Sequence, residues 1–214
     1  MSAPASYASA AALLLLALSL PLPGLAAQTL DFRVYLGERP IGTHRFEVRH
    51  DPQGYRVRSE ASFSVRVLMF EAFRYEHRSE ELWQRGCLHA IDARTDSGDE
   101  RYFVAGRSTD GTLALETHAG SARLDGCVMT FAYWNPAILN AGRLLNAQTG
   151  EYLDVEVVAL GTRRLSARGA EVEARGYRLR TTAADIDVWY SPDDALLALE
   201  STTERGDRLR YAAQ

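Results

Sequence analysis

The stretch YRVRSEASFSVRV (residues 55–67) decides the fold class, because apolar and polar side chains alternate along it. The apolar parity comprises Tyr55, Val57, Ala61, Phe63, Val65 and Val67, and the charged parity comprises Arg56, Arg58, Glu60 and Arg66. A period of two is the spacing of a β-strand, whose successive side chains point to opposite faces. One apolar and one charged face predict a half-buried strand of an antiparallel sheet.

The same alternation recurs along the chain, as in LDFRVYL (residues 30–36), VMTFAYW (128–134) and YLDVEVVAL (152–160). Turn-forming sequences such as DPQG (51–54), DG (110–111) and SPDD (191–194) separate these segments at hairpin intervals. The pattern predicts an all-β fold of about eleven or twelve strands, forming a strongly curved antiparallel sheet or an open barrel. We see no internal repeat or linker, so residues 28–214 are predicted to form a single β domain.

One segment, NPAILNAGRLLN (residues 135–146), departs from the period of two. Asn135 is a good N-cap and Pro136 a good first-turn residue. Ile138, Ala141 and Leu145 have helical spacing. The segment therefore predicts one short helix from Pro136 to about Asn146 that covers apolar residues of the curved sheet.

The first 30 residues carry no charged side chain, and AALLLLALSL (residues 11–20) forms an apolar run that is followed by PLPGLAAQ. This layout predicts a signal peptide at residues 1–27, although its n-region lacks Lys and Arg. A retained membrane anchor is the alternative, but the run is shorter than a bilayer span and ends at prolines. We expect a periplasmic or secreted protein with no transmembrane segment after cleavage.

The 24 basic residues are all arginine. Schiff-base catalysis, pyridoxal phosphate attachment, Walker-type phosphate loops and Ser-x-x-Lys acyl-enzymes need a lysine amine, so all are excluded. The net charge of −4 does not indicate a nucleic-acid partner. No cofactor is predicted, and the oligomeric state stays open.

Two cysteines, Cys87 and Cys127, are too few to form a closed zinc site alone. In an oxidising compartment they predict a disulfide, and the alternative is two buried thiols.

Catalytic and metal motifs are missing from the sequence. The five histidines show no short ligand spacing, which leaves only a three-histidine site assembled across strands as a metal-binding alternative, and no metal site is predicted. No Gly-x-Ser-x-Gly occurs. Asp185 and Asp187 alternate with apolar residues and fit a solvated strand face better than an acid/base pair. No catalytic residue is predicted.

Aromatic residues give the best indication of binding, although packing in the core is the alternative. Trp side chains and the Asn135 and Gln148 amides could orient an amphipathic guest at the mouth of a pocket. The predicted ligand-binding residues are His77, Tyr133, Trp134, Asn135, Gln148 and Trp189.

Several blocks resemble a family of exported proteobacterial proteins of unknown function: YWNPAIL with RLLNAQTGEYL, YEHRSEELWQRGCL, IDARTD, and IDVWYSPD with LLALEST. The chain is more distantly similar to half-barrel periplasmic lipid carriers. The resemblance implies export and a β fold, and it carries over no catalytic residue.

Three hypotheses about function follow. The first is a non-enzymatic binder of an apolar or amphipathic, lipid-like molecule on the concave face. The second is an envelope enzyme with a dispersed, hydrolytic site that uses His77 and carboxylates on neighbouring strands. The third is a protein-interaction scaffold that presents Trp134.

Overall fold

The computed structural model describes residues 27–67, 70–167, 169–203 and 206–214, the side chains of residues 66–67 and 70–72 excepted. The predicted signal peptide, apart from its last residue, lies outside the described residues. The described residues form fifteen strands: β1 (Gln28–Leu36), β2 (Arg39–Asp51), β3 (Gly54–Val67), β4 (Phe70–Gln84), β5 (Cys87–Ser97), β6 (Glu100–Thr109), β7 (Thr112–Thr117), β8 (Gly120–Asp125), β9 (Arg143–Leu145), β10 (Tyr152–Asp154), β11 (Glu156–Ala167), β12 (Ala170–Arg180), β13 (Asp185–Tyr190), β14 (Leu196–Thr202) and β15 (Arg208–Ala213).

Thirteen of these strands form one antiparallel sheet in the order β11-β12-β13-β14-β15-β1-β2-β3-β4-β5-β6-β7-β8. The last strand, β15, pairs with the first, β1, so the two halves of the chain meet side by side in the middle of the sheet. The sheet does not close on itself, and β8 and β11 are its edges. The predicted all-β class, a curved antiparallel sheet or open barrel, is confirmed, although the sheet has thirteen strands where about eleven or twelve were expected.

The period of two in the sequence becomes the two faces of this sheet. In β3, Val57, Ser59, Ala61 and Phe63 are buried, whereas Arg56, Arg58 and Ser62 are exposed. We call the face that carries the buried parity the inner face. It forms the main core, whose largest members include Leu30, Phe32, Trp83, Leu113, Leu115, Tyr190 and Leu196.

Residues 126–155, here called the crossover segment, connect the edge strands β8 and β11 and cover the inner face. Ile138, Leu144 and Leu145 of this segment are 0% exposed and join the main core. Burying each of these side chains contributes roughly 2 kcal/mol to folding. The inner face is therefore largely filled by the protein's own chain.

The predicted helix begins where the sequence indicated but ends early. A 3-10 helix spans Pro136–Asn140, and the Asn135 side chain caps it by accepting a hydrogen bond from the Ala137 backbone N–H. The predicted extension to Asn146 is wrong, because β9 pairs with β10 in a two-stranded sheet instead. Ile138 and Leu145 are buried as expected, and Ala141 is half-buried. Within the described ranges, no helix has the length and apolar composition needed to span a bilayer.

Two predicted strands also differ. Residues 128–134 form no strand, and the only bridge they make is a parallel one between Thr130 and Leu145. The stretch 152–160 is divided at Val155 into β10 and β11, because β10 turns back to pair with β9.

Cys87 and Cys127 form the predicted disulfide, with their Cα atoms 5.1 Å apart. It ties the start of β5 to the start of the crossover segment. Next to the disulfide, the Leu88 N–H donates a hydrogen bond to the Val128 carbonyl at 2.8 Å. The disulfide and this backbone hydrogen bond together fix where the crossover segment enters the inner face.

Candidate functional site

A cavity of about 170 Å³, partly open to solvent, lies between the inner face and the crossover segment. Strands β2, β3 and β4 form its floor, and the crossover segment and the residues around the turn before β13 form its walls. The lining residues are His44, Phe46, Val57, Ser59, His77, Ser79, Glu81, Thr130, Phe131, Ala132, Tyr133, Trp134, Asn146, Ala147, Gln148, Leu153, Thr181, Ala183, Ala184 and Ile186.

The floor of the cavity is polar because three alternate residues of β4 point inwards. His77, Ser79 and Glu81 are buried, whereas their neighbours Arg78 and Glu80 are exposed on the outer face. Strand register adds His44 and Ser59, since His44 pairs with Ala61, which pairs with His77, and Ser59 pairs with Ser79. The sheet thus collects five polar side chains from three strands at one place.

Both histidines of the floor bond to hydroxyl groups. His44 Nε2 lies 2.7 Å from Ser59 Oγ, and His77 Nδ1 lies 2.9 Å from Thr95 Oγ1. Burial lowers the pKa of His44 to about 3, with a further contribution from His77, and burial lowers the pKa of His77 to about 4. Both imidazoles are therefore neutral at pH 7.

Glu81 is the acidic group of the cavity, with 7% exposure. Its Oε2 accepts hydrogen bonds from Trp83 Nε1 at 2.7 Å and from Thr130 Oγ1 at 3.3 Å. Burial raises the pKa of Glu81 to about 7, and these two hydrogen bonds oppose the rise. Glu81 therefore exchanges its proton in the neutral pH range, unlike an ordinary surface glutamate.

Aromatic rings form the wall above Glu81. Trp134 packs edge-on against Trp83, with ring centroids 5.6 Å apart, and also lies 5.6 Å from the Tyr55 ring. The Tyr190 hydroxyl donates to the Tyr133 carbonyl at 2.9 Å, which fixes the backbone next to Trp134. Burial raises the pKa of Tyr133, so its hydroxyl stays neutral.

Four of the six predicted ligand-binding residues line the cavity: His77, Tyr133, Trp134 and Gln148. Asn135 is not among the lining residues, because its side-chain oxygen caps the 3-10 helix. Trp189 is not among them either. It packs in a separate cluster with Ala174 and Leu197. The guanidinium carbon of Arg163 lies over the Trp189 ring, 3.7 Å from its centroid.

The predicted ligand-binding residues do not include the remaining polar residues of the floor, which are His44, Ser59, Ser79 and Glu81. The signal was available in β4, where the parity of His77 and Trp83 also places Glu81 on the inner face. Only the strand register could have brought His44 and Ser59 to the same place. Among the described residues, no group of three or more His, Cys, Asp or Glu side chains is placed to hold a metal ion.

Comparisons with known proteins agree with this architecture. Among solved structures, the chain is similar to a beta-barrel-like protein of domain of unknown function DUF1849 from Brucella abortus. The identity is 9% and the TM-score 0.62, covering 89% of this chain and 96% of that chain, so the likeness shows the fold alone. No curated protein matches the chain. A family model described as a domain of unknown function, DUF6134, matches residues 32–214.

Proposed function

The chain belongs to the family described as domain of unknown function DUF6134, and we propose that it is an exported cell-envelope protein that binds a small amphipathic molecule. The ligand occupies the cavity under the crossover segment. The observation that carries this proposal is the mixed lining: polar groups of β4 lie at the floor, and Phe131, Tyr133 and Trp134 lie at the wall. Convergent polar groups within apolar walls are typical of small-molecule sites.

The size of the cavity limits the ligand. About 170 Å³ is less than the roughly 300–1,000 Å³ of sites for drug-sized molecules. A whole lipid does not fit, because the crossover segment fills most of the inner face. The cavity takes either a molecule of a few heavy atoms with a short apolar tail, or one end of a longer amphiphile.

Two observations support export. The charge-free apolar leader has the layout of a signal peptide, and the Cys87–Cys127 disulfide is a bond that persists in oxidising compartments. Fractionation of a bacterial expression host, followed by intact mass measurement, tests this. We expect a periplasmic protein that lacks its first 26 or 27 residues. A full-length protein in the cytoplasm would contradict export.

Binding can be tested by filling the cavity. Ala147 lines the cavity and is half-buried, so Ala147→Phe is expected to place a ring in the ligand space. Ala159→Phe is the matched control, because Ala159 is exposed on the edge strand β11. Isothermal titration with six-carbon alcohols, acids and amines should show binding to wild type and to Ala159→Phe, weakened at least about tenfold in Ala147→Phe. No binding of any probe to wild type would refute the proposal.

A hydrolase is the second candidate, favoured by the 2.7 Å contact between His44 Nε2 and Ser59 Oγ. A serine nucleophile needs a base within this distance. However, an imidazole whose pKa is about 3 is a poor proton acceptor at pH 7. His77 is no better placed with Glu81, because four residues along a strand separate their Cα atoms by about 13 Å. Labelling of Ser59 by a fluorophosphonate, lost in Ser59→Ala but kept in Ser79→Ala, would favour the hydrolase.

The scaffold hypothesis required an exposed Trp134 and no pocket. Trp134 is instead half-buried against Trp83 and lines the cavity. This position supports binding of a small ligand over docking of a partner protein.

A further inference from the structure

We propose that the ligand is a small organic cation, a protonated or methylated alkylamine, whose positive charge pairs with the Glu81 carboxylate. This inference rests on the function proposed above and adds the chemical class of the ligand to it.

Glu81 receives no positive partner from the described residues. Both of its hydrogen bonds come from neutral donors, the Trp83 indole and the Thr130 hydroxyl, and both end on Oε2. Within the described part of the chain, the ion pairs of the arginines use other carboxylates, as with Arg58 and Glu60 or Arg178 and Asp187, and none includes Glu81. A buried carboxylate is expensive unless a cation compensates it.

The other titratable groups around the cavity do not offset the charge of Glu81. The strand neighbours opposite Glu81 are Val57 and Ile91, which are apolar. The remaining titratable lining residues are His44 and His77, whose pKa values are lowered, and Tyr133, whose pKa is raised. All three are neutral at pH 7. Among the described lining residues, only Glu81 carries charge near neutral pH, and that charge is negative.

The lining of the cavity also matches the hydrogen-bonding needs of an ammonium group. An ammonium has hydrogen-bond donors and no acceptor. Glu81, Ser79 and Ser59 offer oxygen acceptors on the floor. The rings of Trp134 and Tyr133 line the same cavity, and aromatic faces attract cations within about 6 Å. Among the described lining residues, a carboxylate ligand would meet an acidic group and no positive side chain, so the cavity disfavours anions.

Three probes of equal chain length test the ligand class: hexylamine, hexanol and hexanoate, titrated calorimetrically at about pH 8. We expect hexylamine to bind at least about tenfold more tightly than hexanol, and hexanoate more weakly than both. If hexanol or hexanoate binds as tightly as hexylamine, the cation inference is wrong while the proposed function stands. If none of the three binds, the proposed function fails as well.

Variants of β4 locate the effect. Glu81→Gln keeps the hydrogen-bond acceptor but removes the charge, so hexylamine should lose its advantage over hexanol. The control is Glu80→Gln, one residue away on the exposed outer face, which should keep that advantage. Retention of the advantage in Glu81→Gln, with a wild-type circular dichroism spectrum, would refute the pairing. If Glu81→Gln does not fold, the preference of the wild-type protein among the three probes still tests the ligand class.

Proton release gives a second readout. At about pH 6 the Glu81 carboxyl is largely protonated, because its pKa is about 7. Binding of a cation should then release close to one proton, seen as a dependence of the calorimetric heat on the ionisation enthalpy of the buffer. At about pH 8, release should be small. Equal proton release by hexanol, or none by hexylamine at the lower pH, would contradict the proposal.

Discussion

Replacing Glu81 with Gln should stabilise the protein at high pH and leave it almost unchanged at low pH. The folded state raises the pKa of Glu81 to about 7 from an ordinary value of 4.5. Below pH 4.5 both the folded and the unfolded states hold the proton, so the group has no effect on stability. Between pH 4.5 and pH 7 the unfolded chain loses the proton first, and the free energy of unfolding falls as pH rises.

The magnitude follows from the two pKa values. Each pH unit in this window is worth about 1.4 kcal/mol, so the ionisable carboxyl removes about 3 kcal/mol of stability by about pH 8. The glutamine side chain of the variant keeps an oxygen for the Trp83 and Thr130 hydrogen bonds and has no proton to lose. Glu81→Gln should therefore exceed wild type by about 3 kcal/mol at about pH 8 and by little at pH 4.5.

Urea unfolding at both pH values measures this difference, with tryptophan fluorescence as the signal. Glu80→Gln, on the exposed face of the same strand, is the control and should follow wild type. If the difference in free energy of unfolding between Glu81→Gln and wild type stays the same from pH 4.5 to about pH 8, the Glu81 carboxyl ionises without a burial penalty. Glu81 would then not be an uncompensated acidic group of the cavity.

Three further predictions concern the histidines, the crossover segment and the disulfide. The pKa of His77 is lowered from 6.5 to about 4, so stability that is present above pH 6.5 should be lost as pH falls towards 4. In this pH window His77→Gln should reduce the number of protons taken up on unfolding by about one. Denaturant unfolding at several pH values measures that number. If the free energy of unfolding depends on pH as steeply in His77→Gln as in wild type, His77 is already protonated in the folded state. Leu145→Asp should destabilise the protein by about 3–5 kcal/mol, because Leu145 is 0% exposed. The control Leu160→Asp, on the edge strand β11, should have little effect in a thermal melt. Equal melting temperatures for the two variants would show that the crossover segment is peripheral to the core. Cys87→Ser opens a disulfide whose cysteines are 40 residues apart and should cost about 4 kcal/mol, a loss that chemical denaturation of the reduced wild type should reproduce.

The strands that the sequence predicts well are those with one apolar parity. In β3 the alternation of Val57, Ala61 and Phe63 with charged residues appears directly as burial. The sequence does not predict strand β8, because GSARLD has no such alternation and only Leu124 is half-buried. An edge strand of this kind is held by its backbone hydrogen bonds to β7, and a hydrophobic pattern does not record those bonds.

The helix shows the limit of local signals. Asn135 and Pro136 set its start by local hydrogen bonding and a fixed φ, so the start is predictable. Its end depends on the pairing of β9 with β10 and on the Leu145 N–H bond to the Met129 carbonyl at 2.8 Å. Those partners lie outside the segment 135–146, so helical spacing within it gives the wrong end.

The candidate site was predicted in part for a similar reason. The aromatic residues Tyr133 and Trp134 stand out by residue type, and His77 by its strand position. The cavity exists because strand register places His44, Ser59 and Glu81 together and the crossover segment covers them. Hydrophobic periodicity gives the face of each strand but not its neighbour across the sheet.

The pairing of β15 with β1 has a consequence for folding during synthesis. Residue 32 pairs with residue 213, so this seam forms only after residue 213 has been synthesised, and it closes a far longer loop than any hairpin does. The hairpins on each side can form earlier. A chain that stops before β15 would leave β14 and β1 each with one open edge, so four strand edges would be open in place of two. Unpaired edges recruit other chains, so premature termination near the C-terminus converts a folded protein into an aggregation-prone one.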